Sequence, residues 1–495
     1  MNKKLRGIII GCVAVVVLVA ALIVLSNLPA DSSETASEDA AASTAAIYLN
    51  DKQAANVRKV EVTNETGSYV VNVTEESEYT IDGLDNAPLS DTSMQSFLSD
   101  IGSINAKALI DEEGTDLNQY GLGQPRATVT VTYSDGSSNE VRIGNDAPAS
   151  EGVYCMVDDD PKVYLFLTSK VDDLLLGALD MVDKTITNTG VVEPEESTTS
   201  SGDDENANLT TLVKLTLGGT SREEPIVVEP STHPNSYSLY DITSPNHRVT
   251  NSDATGPLLT NLFGLTAEEV ITVNPTQEEL EQYGLADPYS TAEAIYPSET
   301  ISLICSAPQD GYVYVMNRDK NVIYRMADEI IDTSSETRFS SLSWINAQYS
   351  DLLSHLVTTP YIGDLKSLTV STADQSYTFD LSTVKDENDT DVTTAKYQGE
   401  ELDIDIFKDF YQVVIAASNE GMLDEEVEGE PVLTYRFEYT EGRDEDVVEF
   451  YSTSNLRALI KLNGDGGTYC YQSYVDKAIA DIQRLLNGEE ITTVY

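Results

Sequence analysis

Cysteine, histidine and positive charge are all scarce in this chain, and each scarcity closes off a class of function. Its four thiols, Cys12, Cys155, Cys305 and Cys470, are joined by no CxxC and no Cys/His spacing. That excludes a disulfide framework and a cysteine-based zinc site. His233, His247 and His355 stand far apart, with no HExxH and no histidine–carboxylate spacing. No metal ligand set or histidine base is indicated. Against 84 acidic residues there are 29 basic ones, a formal charge of −55. A surface of that sign repels phosphate backbones and excludes nucleic acid as a partner.

Catalytic motifs are missing too. No GxSxG and no P-loop occurs, and Gly121-x-Gly123 leads into a strand pattern, not the helix a dinucleotide needs. Ser382-Thr383-Val384-Lys385 matches the SxxK of penicillin-interacting serine enzymes. It lacks a KTG partner, however, and precedes an acidic loop, DENDTD, where an apolar helix would be needed. Acidic clusters at 158–160, 386–391 and 463–466 offer weak calcium ligands, but none completes a twelve-residue loop with its terminal glutamate. Asp465-Gly466-Gly467 reads more simply as a hairpin turn. The expectation is a non-enzyme with no catalytic residue, no cofactor and no metal.

Long apolar runs are absent except for one. Residues 8–25, IIIGCVAVVVLVAALIVL, carry no charge, follow MNKKLRG and precede an acidic stretch. At 1.5 Å per residue the run covers about 27 Å, the hydrocarbon thickness of a bilayer. The flanking charges predict a cytoplasmic start at 1–7 and a single-pass anchor at 8–28 in the cell membrane. The body then lies outside the cytoplasm. Leu28, at the −3 position of a cut after Ala30, argues against a cleaved signal. Residues 29–46 are small, polar and acidic and read as a flexible stalk, and 190–208 read as a linker of the same kind.

What the sequence does contain is repetition. QYGLGQP at 119–125 and QYGLADP at 282–288 share Tyr-Gly-Leu-x-x-Pro: Tyr120, Gly121, Leu122 and Pro125, then Tyr283, Gly284, Leu285 and Pro288. Eight residues beyond each proline stands a tyrosine, Tyr133 or Tyr296, and Pro431 with Tyr439 repeats that interval without the Tyr-Gly-Leu. Between proline and tyrosine the apolar residues alternate, the mark of a half-buried strand. Each phrase follows a short acidic helical start, with Thr276 and Glu279 spaced as a capping box. The glycine then fits a left-handed helix stop, the leucine its apolar contact, and the proline blocks further helix. Structural punctuation is the expected role.

Upstream of each phrase, 94–109, 257–271 and 406–423 show helical spacing, and 169–182, 326–332 and 474–486 read as closing helices. The expected fold is α+β: a single N-terminal transmembrane helix followed by three repeated antiparallel-sheet-plus-helix units. These occupy 47–189, 209–336 and, in degenerate form, 362–495, with a helical connector at 337–361.

The combination resembles a bacterial family of unknown function. Its members have one membrane helix and repeats with a Tyr-Gly-Leu-x-x-Pro turn, a Thr/Val strand, a Gly-Asp/Asn turn and a tyrosine strand. Here these are Tyr120 to Pro125, Ala127 to Tyr133, Ile143-Gly144-Asn145 and Val153-Tyr154. The resemblance implies frequent encoding beside ABC-2-type transporters, including gliding-motility-like ones, and no catalytic residues. The expected function is therefore a non-enzymatic accessory or scaffold, with a transporter permease and ATPase as partners. The alternative is a protein binding cell-envelope glycan or a surface ligand, using the exposed ones among its 27 tyrosines and acidic, calcium-filled loops, although several tyrosines fall on inward strand positions.

Overall fold

The computed structural model describes residues 46–188, 212–231, 239–328, 344–423 and 427–493, apart from 388–389, 428, 441, 443 and 454. The chain divides into two compact units, Met1–Ile47 and Tyr48–Tyr495. The anchor expected at 8–28, nearly all of the stalk and the linker lie outside the described residues. Among the described residues no helix is long and apolar enough to cross a membrane. The second unit holds the three large sheets.

Alternation builds the central strands. In Ala127–Tyr133 the buried residues are Ala127, Val129, Val131 and Tyr133, with threonines between them. This strand lies antiparallel to Val57–Asn64, with Val60 opposite Val131 and Val62 opposite Val129. Ser290–Ile295 lies in the same way beside Lys214–Gly218, and Leu433–Tyr439 beside Leu365–Thr372. β-branched and aromatic side chains facing each other across such pairs stabilise the ladder. Each strand begins two residues after its proline, which therefore stands outside the ladder.

Around each central pair the sheet grows in one order. In the first, Gly67–Val73 and Tyr79–Ile81 meander outward from Val57–Asn64. The chain next lays Ala108–Asp111 at the opposite edge and returns to the centre at Ala127–Tyr133. It then meanders through Ser138–Asp146 and Val153–Val157 until Val163–Phe166 meets the edge strand. The second and third sheets keep this order and add one outer strand each, Arg248–Val249 and Glu400–Glu401. Each of the three sheets buries one face in its own core.

The α+β expectation, with three sheet-plus-helix units, is overturned. Among the described residues the molecule is mostly β, with four antiparallel sheets, the fourth being small and two-stranded. The described α-helices are α1 (Asp91–Gly102), α2 (Thr168–Leu174), α3 (Ser252–Thr260), α4 (Gln277–Gln282), α5 (Tyr349–Leu352), α6 (Ile404–Ile415) and α7 (Gln472–Asn487). Stretches read as single helices change period partway. Residues 94–109 hold the end of α1 and then the strands Asn105–Ala106 and Ala108–Asp111. Residues 257–271 and 406–423 likewise close on the edge strands Glu269–Val273 and Gly421–Met422. The helix expected at 169–182 stops at Leu174, and only a 3-10 turn, Ala178–Met181, follows. Met326 and Ala327 belong to the strand Val322–Ala327. Helices of this length contribute little by themselves, and sheet pairing claims the flanking residues.

One contact in the thin helical layer carries a pH prediction. Lys170 of α2 is buried and donates to the Ser103 carbonyl at 2.6 Å, beside Asp100 of α1 and Asp173 of α2. Burial, opposed by Lys170 and reinforced by Asp173, pushes the Asp100 carboxyl up to about 6. A raised acid favours the protonated fold, so its contribution is complete below the ordinary value of 3.8 and lost as pH climbs through about 6. Asp100→Asn should flatten that part of the stability curve, which urea melts across roughly pH 4 to 7 would record. An unchanged slope would show that Asp100 titrates normally.

Candidate functional site

The repeated phrase occupies equivalent places on two sheets. Leu117–Tyr120 forms a 3-10 turn that stops at Gly121, whose φ is 73°, and the Leu122 amide donates to the Leu117 carbonyl at 2.9 Å. In the second copy α4 starts on the Thr276–Glu279 capping box and ends before Gly284, with φ 68°. The Leu285 amide donates to the Leu280 carbonyl at 2.7 Å. Both turns lie on the sheet face away from the main core. Leu122 packs with Met156 and Val163, and Tyr120 stands edge-on to Tyr154 at 5.0 Å. Leu285 packs with Ile304, Met316 and Ile323, and Tyr283 meets Tyr314 at 4.8 Å.

The strand-end tyrosines sit on the core side. Tyr133 accepts from Asn50 Nδ2 at 2.8 Å, and Tyr439 donates to the Asp446 carboxylate. The Tyr296 hydroxyl is buried without a partner among the described residues, its ring 5.1 Å from Phe263. In the third sheet the outer face carries a different contact set, Arg457 over Tyr469 at 4.1 Å and Lys461 over Tyr451 at 4.8 Å. The motif residues of each copy thus pack on their own sheet and do not converge on one site.

Pro288 nevertheless leads to a place where two sheets and their connector enclose space. The carbonyls of Pro288 and Tyr289 accept from the amides of Thr220 and Ser221 at 3.0 and 2.9 Å, fastening the turn at 219–222. Gly219 has φ 103°, and a Cβ there would stand 2.4 Å from the Tyr289 carbonyl oxygen, so glycine is required. The turn presents Arg222, whose guanidinium points inward. It donates to the carbonyls of Gly218, Ala347 and Trp344 at 2.7–2.8 Å and to Ser290 Oγ at 2.8 Å. Those bonds hold the connector around the fully buried Trp344.

A second buried arginine locks the second sheet to the third. Arg248 is fully buried and donates to the carbonyls of Asp465 and Gly466 at 2.8 and 2.9 Å, and to that of His247 at 2.7 Å. The His247 amide donates to Asp465 Oδ2 at 2.9 Å. Asp241 beside the His247 ring raises its pKa. The connector's Val357 and His355 exchange backbone bonds with the segment that follows α6, Val357 N–H donating to Ala417 O and His355 O accepting from Asn419 N–H. Sequence reasoning missed this joint. It placed the hairpin turn at 465–467, whereas the turn is Asn463-Gly464, with φ of 54° and 93°, and Asp465 starts the returning strand.

Beside the joint opens a cleft of about 670 Å³. It is lined by Ser221, Arg222, Glu223, Glu224 and Ile226, by Pro245 and Asn246, by Gln348 and Tyr349, and from the third sheet's side by Met422, Leu423 and Gly467. That volume lies within the range of ligand-binding clefts. Glu223 and Glu224 are exposed and Met422 is 45% exposed, so acid and apolar surface meet in one opening. Among the described residues no three histidine, cysteine, aspartate or glutamate groups are placed to share a metal ion. Cys155, Cys305 and Cys470 are buried and free, and burial pushes the Cys305 and Cys470 thiols up to about 12. Thiols so placed are poor nucleophiles.

Residues 80–236 match the model of a family described as a domain of unknown function (DUF4340). The match runs from the outer strand of the first sheet into the second. No curated protein and no solved structure matches the chain.

Proposed function

We propose that this chain is a non-enzymatic accessory protein of an ABC-type transporter, held at the cell membrane by its first residues with its body outside the cytoplasm. The observation that carries this reading is reiteration: one strand order is used three times in succession. Its recurrent turn residues are taken up by packing. Arrays of like modules generate surface for partners more readily than they generate a single reactive centre. The apolar run at 8–25, with basic residues before it and acids after it, supports the membrane attachment and its orientation. The likeness of the Tyr-Gly-Leu-x-x-Pro repeats to a family encoded beside ABC-2-type transporters supports the choice of partner. The glycan reading draws on exposed tyrosines, whereas Tyr133, Tyr296, Tyr324, Tyr435 and Tyr439 are buried.

The test is purification of the tagged full-length chain from membranes in mild detergent. A transporter permease and its ATPase should co-elute with it in constant ratio. Elution of the chain alone, under conditions that keep the permease and ATPase together, would rule the proposal out.

A further inference from the structure

We propose that the cleft between the second and third sheets receives an extended segment of a partner protein, one carrying basic side chains between apolar ones. The inference rests on the accessory reading for the identity of that partner, and on the cleft alone for its chemistry. Glu223 and Glu224 have no ion-pair partner among the described residues, and both are exposed and line the cleft. The cation nearest in sequence, Arg222, is 9% exposed and its donors are taken by three carbonyls and the Ser290 hydroxyl. It is not placed to pair with the two glutamates, and the cleft's lining is left net negative.

The apolar half is equally specific. Met422, exposed to 45%, stands with Leu423, Pro245 and Tyr349 around the same space. A lining that sets two exposed acids beside apolar surface matches a side chain with a long apolar stem and a cationic head, next to aliphatic neighbours. The extended form follows from the wall itself. Gly421–Met422 is the edge strand of the third sheet, hydrogen-bonded to a neighbour on one side only. Edge strands recruit extended peptides through their unpaired backbone groups. Because Arg248 and the connector tie the walls together, the cleft is formed before anything enters it. Preformed sites lose less entropy on binding.

The test uses the full chain in detergent and a fluorescein-labelled peptide, Leu-Arg-Leu-Lys-Leu, read by anisotropy. E223K/E224K should weaken binding at least about tenfold, since two attractive charges become repulsive. E75K/E76K, the same charge change on an exposed loop of the first sheet, should change it less than about twofold. Met422→Asp should also weaken binding, and Ser-Arg-Ser-Lys-Ser should bind poorly to the parent chain. Thermal melts of each variant establish that it is folded. Equal losses in the two double variants would reduce the effect to bulk charge and overturn the proposal, as would absence of peptide binding. Peptide binding at the cleft without any co-purifying transporter would overturn the accessory reading and leave the cleft's chemistry standing.

Discussion

Replacing Arg248 by alanine should cost about 3–5 kcal/mol and split the unfolding of the body into two transitions. The arginine is fully buried, and its guanidinium is shared among three carbonyls, two of them on the third sheet. Truncation leaves those acceptors unpaired at roughly 1–3 kcal/mol each and opens a cavity besides. Arg248→Met separates the two effects, because it fills much of the space and restores no hydrogen bond. The single tryptophan is a convenient reporter: Trp344 is fully buried in the core of the second sheet. After the substitution, its fluorescence transition in urea should part from hydrogen-exchange protection of 433–471 in the third sheet. A loss under about 1 kcal/mol with coincident transitions would mean that the coupling between the sheets lies elsewhere.

The two glycines of the repeated phrase should differ sharply when each is replaced by alanine. Both are left-handed, so each substitution carries a backbone cost of about 1–2 kcal/mol. At Gly284 a new Cβ would meet only Ser306 Cβ at 3.5 Å, an ordinary contact. At Gly121 it would stand 2.4 Å from Asn145 Oδ1 and 2.9 Å from the Asn145 backbone nitrogen. The side chain can turn away, but the backbone belongs to the strand Ser138–Asp146 and cannot move without shifting the ladder. Gly121→Ala should therefore cost roughly 2–4 kcal/mol, about twice Gly284→Ala or more. Denaturant midpoints at constant slope measure both. Equal losses would mean that the turn at 120–122 lifts off its sheet at little cost.

The contrast shows what a sequence can and cannot display. Alternation over Ala127–Tyr133 is visible because each threonine faces out and each valine in, and the strand needs nothing remote to declare itself. The glycine after Tyr120 is visible as a helix stop, because the left-handed position is a local property. That the following leucine covers the outer face of the sheet depends on Met156 and Val163, more than thirty residues away. The helical reading of 94–109, 257–271 and 406–423 failed because edge strands of two to five residues are too short to show a period of their own. They exist because a partner strand elsewhere supplies the hydrogen bonds. Arg248 gave no local signal at all: TSPNHRV reads as a loop, and its acceptors lie 217 and 218 positions downstream. The cleft was invisible for the same reason, since its lining comes from five separated segments.

Whether this body holds a membrane-transport partner is tested most directly by photo-cross-linking in living cells. A benzoylphenylalanine placed at Met422, in the cleft, should form an adduct with a transporter permease or ATPase subunit, identified by mass spectrometry. The same probe at Glu76, on the first sheet's exposed loop, should not. An identical adduct pattern at the two positions would contradict the proposed role. So would a Met422 probe that labels no transporter subunit while the chain is folded and membrane-bound.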